Sequence, residues 1–194
     1  MTPRFSRALQ LASHAHEGQC RKGTRIPYIT HPVAVAGLVA LFGGDEDRQI
    51  AGLLHDVLED GGPHYAPIIG RDFGPRVLAI VEGCTDGTPD ANGKKAPWKD
   101  RKRSYLEHLR HADDDVLVVS GCDKLSNARA ILDDLLMIGP AVFDRFSAGK
   151  DGTVWYYREL ARIFSERGTP VAPALTATVD EIVRQLGRLE TRTP

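Results

Sequence analysis

A chain of 194 residues with 25 Lys and Arg against 26 Asp and Glu, 42% hydrophobic and 26% charged, has the make-up of one soluble globular domain spanning 1–194. Global disorder, collagen and coiled coil are excluded, and a chain this long buries roughly 70% of its unfolded surface, enough for a core without disulfides or a structural metal. A net charge of −1 excludes a global field for capturing nucleic acid.

In chain order, Phe5, Ala8, Leu9, Ala12, Ala15 and His16 recur at helical spacing, so residues 4–17 predict a first helix that stops at Gly18. GQCRKGTRIPYITHP comes next as a loop, because its prolines bias the preceding residues out of the α region. Pro32 suits the first turn of a second helix running to Phe42, ended by Gly43-Gly44. Asp45 is a cap for a third helix, whose Ile50, Leu53, Leu54, Val57 and Leu58 carry it unbroken to Gly61-Gly62. Pro63 and Pro67 then predict a loop, residues 75–83 a helix, TDGTPDANGKKAP an exposed turn-rich loop, and 98–111 a basic helix. Residues 114–137 read as a long helix, although VLVV by itself would pass for a buried strand, and 139–165 and 174–189 as two or three more. With no period-2 segment elsewhere, the fold class is an all-α helical bundle.

Cys20, Cys84 and Cys122 are far apart and form no CxxC, which argues against a disulfide framework or a cysteine zinc site and for a reducing cytoplasm. The opening residues lack the apolar run of a signal peptide, and no window approaches about 18 apolar residues, so the expectation is a cytoplasmic protein with no membrane span. Self-association stays open. Charge is uneven: residues 1–25 hold five basic side chains against Glu17, and 94–110 hold seven against Asp100 and Glu107. Two basic segments on an otherwise acidic chain suit a small anionic ligand better than a long polyanion, although each also fits a solvated face.

The stretch LLHDVLED carries the most chemistry. On a continuous helix, His55 and Glu59 share a face and Asp56 and Asp60 form the adjacent ridge. A charged helix edge is commonly only the solvated side, but here the His-Asp pair interrupts an apolar run, where unpartnered burial is costly. His31 and Asp123 are the further candidates, each of which also fits a structural role: a hydrogen-bonded core His, or a buried Asp paired with Lys124 or Arg129. Two imidazoles and two carboxylates, with room for water, suit Mn²⁺ or Fe²⁺ better than a closed zinc site.

Three motifs in order then resemble a known family. His16-Glu17-Gly18-Gln19-Cys20-Arg21-Lys22 through Pro27-Tyr28-Ile29-Thr30-His31-Pro32, then His55-Asp56-Val57-Leu58-Glu59-Asp60, then Asp123-Lys124-Leu125-Ser126-Asn127-Ala128-Arg129 resemble the HD-domain hydrolases of the RelA/SpoT type, in particular the single-domain small alarmone hydrolases. The resemblance spans about residues 5–165. It implies an all-α HD-domain bundle and one Mn²⁺ held by His31, His55, Asp56 and Asp123. It also implies Glu59 and Asp60 as the catalytic carboxylates, Arg21 against the base, Lys22 toward phosphate and Asn127 near the ribose. Tyr28 and Lys102 join the substrate contacts, and Lys150 and Tyr156 reach the phosphates and ribose, with Trp155 or Tyr157 equally suited to helix core. The chain departs from the family where Gly61-Gly62 follow the acidic pair in place of Thr, at Cys122 before Asp123, and in the closing segment FSAGKDGTVWYYREL.

The implied activity is removal of pyrophosphate from the 3′ position of ppGpp or pppGpp, a small-molecule nucleotide, without a synthetase domain. Two alternatives stand beside it: a phosphatase for another nucleotide such as NADPH, and a nucleotide-binding regulatory domain without turnover. A pure binder needs no metal set joined to a carboxylate pair, which favours catalysis.

Overall fold

The computed structural model describes residues 2–86 and 96–190, so most of the loop expected at 85–97, with Lys94 and Lys95, lies outside the described residues. Its helices are α1 (Pro3–Ala15), α2 (Thr30–Leu41), α3 (Glu46–Leu54), α4 (Ala66–Phe73), α5 (Pro75–Cys84), α6 (Trp98–His111), α7 (Asp114–Ile138), α8 (Gly149–Glu166) and α9 (Ala172–Glu190). No strand occurs among the described residues, where an isolated bridge between Cys20 and Pro27 is the single β-type pairing.

The centre of the bundle is α7, packed against α2, α3, α5, α8 and α9. Val116, Leu117, Val118 and Val119 are all buried, because neighbouring helices enclose the N-terminal half of α7. An apolar run covered all round is helical here, and a strand-like VLVV is the sequence trace of a fully enclosed helix. Asp45 caps α3 as its residue type predicts, its side chain accepting from the Arg48 amide at 3.0 Å.

Two expectations are corrected. Pro63 and Pro67 do not make a loop: Pro67 occupies the first turn of α4, where a missing N–H costs nothing and φ is already helical. The third helix does not run unbroken to Gly61. It ends at Leu54, His55 and Asp56 form a turn, and Val57–Gly61 winds as a π-helical turn that stops at Gly62, whose φ is +111°. A π turn carries an extra residue and re-aims the side chains beyond it, so His55 and Glu59 are not simple i,i+4 neighbours on one straight helix.

The bundle's far end is fastened by Arg167. Its guanidinium donates to the carbonyls of Leu109 and Arg110 at 3.1 and 2.7 Å and of Ala112 at 3.0 Å, satisfying orphan acceptors at the end of α6. Arg167→Ala is expected to cost about 1.5–3 kcal/mol, the scale of hydrogen bonds to a charged group, read as a lowered denaturation midpoint with unchanged metal content.

Candidate active site

His55, buried in the turn after α3, faces His31 in the first turn of α2 and Asp123 in the buried part of α7. His31 and His55 meet edge to face with ring centroids 5.2 Å apart. His31 Nε2 lies 3.1 Å from Asp123 Oδ1 and 3.7 Å from Asp56 Oδ2, while His55 Nε2 lies 3.0 Å from Asp56 Oδ2 and 3.6 Å from Asp123 Oδ1. His31, His55 and Asp123 each offer an atom within 4.8 Å of the others, and Asp56 closes the set from the side of the two imidazoles.

These residues fit a metal. His55 Nδ1 faces the Gly52 carbonyl at 2.9 Å, an acceptor only, so Nδ1 carries hydrogen and the neutral ring turns its Nε2 lone pair toward the carboxylates. The Nε2 atoms of His31 and His55 are buried without a hydrogen-bond partner among the described residues. A lone pair facing carboxylate oxygens is repulsive unless a proton or a metal cation lies between them. Neighbouring ligands on a small divalent cation bound at about 2.1 Å in octahedral geometry sit about 3.0 Å apart, close to the separations here.

Electrostatics point the same way. Burial opposes ionisation of Asp123, yet Lys124, whose Nζ is 2.5 Å from its Oδ2, and the two imidazoles hold it well below the usual carboxylate range. At His55 burial works against protonation, yet Asp56 and Asp123 outweigh it and raise the imidazole well above its ordinary value. The point between these side chains attracts positive charge, which a divalent cation supplies by displacing protons.

The surrounding contacts orient these side chains. Tyr28 donates its hydroxyl to Asp56 Oδ2 at 2.6 Å, and burial together with the Asp56 charge raises its pKa, so it remains a donor. His31 Nδ1 meets Ser126 Oγ at 3.2 Å. Asn127 donates to Asp123 Oδ1 at 2.6 Å and accepts from Arg21 at 2.7 Å, which ties the loop to the centre. Such partners are worth about 10- to 100-fold in metal affinity, so Tyr28→Phe is expected to weaken metal binding on that scale, measured by titration against a chelator.

The loop itself is pinned by Arg21 N–H to Ile26 and Tyr28 N–H to Gln19, at 2.8 and 2.9 Å. Gly23 has φ +71°, and a Cβ there would lie 2.6 Å from Arg145 Cδ, so only glycine lets the loop close onto the segment before α8. Lys22 beside it projects over the Phe146 ring, 5.8 Å from its centroid.

A cleft of about 810 Å³ adjoins the centre, with Arg21, Lys22, Glu59, Asp60, Lys102 and Tyr156 among its lining residues. Lys102 sits 5.0 Å over the Tyr156 ring. Tyr156 is buried with its hydroxyl unpartnered among the described residues. Tyr157 is a buried wall of the cleft, whereas Trp155 packs against the core beyond it. Lys150, in the first turn of α8, is not among the lining residues. Roles that sequence reasoning missed are those of Ser126 and the Gly52 carbonyl, which hold the two imidazoles; neither carries a pattern of its own, though Ser126 lies inside the third motif.

Comparison with known proteins agrees with the all-helical fold. The HD domain family matches residues 8–153. The chain belongs to the HD-domain family. It is similar to the Guanosine-3′,5′-bis(diphosphate) 3′-pyrophosphohydrolase MESH1 of Xenopus tropicalis, 37% identical over 125 residues, covering 63% of this chain and 66% of that one. It is also similar to the bifunctional (p)ppGpp synthase/hydrolase SpoT of Escherichia coli K12, 34% identical over 134 residues, covering 66% of this chain. The chain spans 14% to 18% of the length of the long bacterial relatives it matches. A solved structure described as a metazoan ortholog of SpoT that hydrolyzes ppGpp and plays a role in starvation responses superposes with a TM-score of 0.75 at 28% identity, covering 96% of this chain and 97% of that one. No helix among the described residues is long and apolar enough to cross a membrane.

Proposed function

We propose that this HD domain is a Mn²⁺-dependent hydrolase that removes pyrophosphate from the 3′ position of ppGpp or pppGpp. The observation that carries the reading is the convergence of His31, His55, Asp56 and Asp123 beneath a cleft that also holds Glu59, Asp60 and cationic side chains. The similarity to 3′-pyrophosphohydrolases supports the substrate. The mixed imidazole and carboxylate set suits Mn²⁺ or Fe²⁺, and the resemblance to the small alarmone hydrolases favours manganese of the two.

A divalent cation held there supplies Lewis acidity toward the phosphoryl group and makes a nucleophilic water available at neutral pH. The chain's own residues do the rest. Glu59 accepts a proton from the attacking water, and Asp60 at the cleft mouth shares in orienting it. The bond between phosphorus and the ribose 3′ oxygen breaks as the water oxygen bonds to phosphorus, and the released proton goes to the ribose oxygen. The products are pyrophosphate and the 5′-phosphorylated nucleoside. Lys22 stabilises the charge that grows on the phosphates, Lys102 contacts the phosphates of the bound nucleotide, and Arg21, held flat by Asn127 and lying over Tyr28 with 5.7 Å between guanidinium carbon and ring centroid, presents a planar face to the base.

The test is incubation of the purified chain and Mn²⁺ with ppGpp, pppGpp and NADPH in parallel. Pyrophosphate from the first two is the expected product. Orthophosphate from NADPH alone would place the enzyme among nucleotide phosphatases of another kind, and turnover of none would leave a binding domain.

A further inference from the structure

One buried carboxylate beside the cleft is used neither by the metal centre nor by the steps above. Asp86, two residues beyond the end of α5, is 4% exposed. Its Oδ2 accepts from Lys102 Nζ and lies 3.5 Å from Arg101 Nη1. Both cations come from the first turns of α6, and both line the cleft. An ionised carboxylate buried to this degree is costly unless paired, and removing one partner strands the other.

The pairing has a direction. Lys102 Nζ is held between the Asp86 carboxylate and the Tyr156 ring, and it feels the attraction of Glu59 and the repulsion of Lys124, so it lies within the electrostatic reach of the reacting centre. A lysine side chain has a flexible four-carbon stem and, unlike arginine, no rigid fork of its own. Its ammonium becomes a fixed phosphate contact only if something else fixes it, and Asp86 is the buried group that does so.

We propose that Asp86 is a positioning residue for phosphate binding, anchoring Lys102, and with it the start of α6, against the cleft so that the ammonium faces the phosphates of the bound nucleotide. This rests on the reading of the cleft as a nucleotide phosphohydrolase site.

Four proteins test it: the parent chain, Asp86→Asn, Lys102→Met and the double variant. With ppGpp and Mn²⁺, each single variant is expected to raise KM by about tenfold with kcat within about twofold, the signature of lost contacts made equally in ground and transition states. The double variant should be no worse than Lys102→Met alone, since Asp86 acts through Lys102. A purely structural role for Asp86 would lower the active fraction, reducing kcat at unchanged KM, and would persist in the Lys102→Met background; that outcome overturns the proposal. Calorimetric binding of inorganic pyrophosphate with Mn²⁺ to the same four proteins decides the matter separately from substrate identity. If the parent binds pyrophosphate but does not turn over ppGpp, the substrate reading fails and the positioning role is still judged by whether Kd rises in the single variants without multiplying in the double. Equal Kd in all four, or no binding by the parent, overturns it. Should Asp86→Asn not fold, Asp86→Glu keeps the buried charge and displaces Lys102 by one methylene. A raised Kd at an unchanged melting temperature is then expected, and an unchanged Kd overturns the proposal.

Discussion

His55→Ala and Asp123→Asn are expected to abolish both metal retention and turnover. Each removes one of the groups that converge on the same point: His55 Nε2, 3.0 Å from Asp56, and Asp123 Oδ1, 3.1 Å from His31. The loss in rate should reach about 10³-fold or more, because a polarising cation contributes several kcal/mol and each 1.36 kcal/mol is a factor of ten. The two variants should differ in stability. His55→Ala deletes a ring whose lone pair faces carboxylates and leaves the Asp123–Lys124 pair whole. Asp123→Asn leaves the largely buried Lys124 ammonium without its carboxylate, and breaking a buried pair from one side costs on the order of 3–5 kcal/mol. Saturating Mn²⁺ at about 100 times Kd should stabilise the parent by about 2.7 kcal/mol, a rise in melting temperature of about 5–10 °C for a chain of this size. Neither variant should show that rise. Full manganese occupancy of both, by elemental analysis after gel filtration, would sink the ligand assignment.

Legibility in the sequence depends on which interactions are local. Apolar spacing places α1, α3 and α7 in the sequence, because helical periodicity is local whatever the helix packs against. The Asp45 cap is a contact with a residue three positions on, and so was visible. Of the four candidate metal-side residues, His55, Asp56 and Asp123 stand out as polar groups set in apolar runs, and His31 by its place before Pro32 at the start of a helix. The break after Leu54 did not, since the period of Ile50, Leu53, Leu54, Val57 and Leu58 continues across it and the π turn is set by tertiary packing against α1 and the segment beyond. The partners that orient the ligands were equally silent. Tyr28 reaches Asp56 across 28 positions and His31 reaches Ser126 across 95, and no local pattern encodes such a pairing. For the same reason Asp86 read as a turn residue: its partner Lys102 lies on the next helix, 16 positions away. Lys124 reads in the sequence as an alternative to metal binding at Asp123, but in the structure one Asp123 oxygen pairs with Lys124 while the other faces the imidazoles, so the pairing leaves that second oxygen available.

Glu59→Gln should separate chemistry from metal binding. Glu59 lies in the π turn just beyond the His55-Asp56 pair and lines the cleft, outside the group of His31, His55 and Asp123 that converges on one point. A carboxamide keeps the size and much of the hydrogen bonding of the side chain but cannot accept a proton from water, so the variant should retain manganese, the Mn²⁺-dependent rise in melting temperature and KM close to the parent value. Its kcat should fall by about 10²–10⁴-fold, the span attributed to a positioned general base. Asp60→Asn provides the internal control: it is more exposed than Glu59 and at the cleft mouth, so its loss should be smaller than that of Glu59→Gln. Turnover of Glu59→Gln at the parent rate would reduce Glu59 to a residue of the cleft rim and transfer the proton-accepting role to Asp60, which the second variant would then reveal by the larger loss.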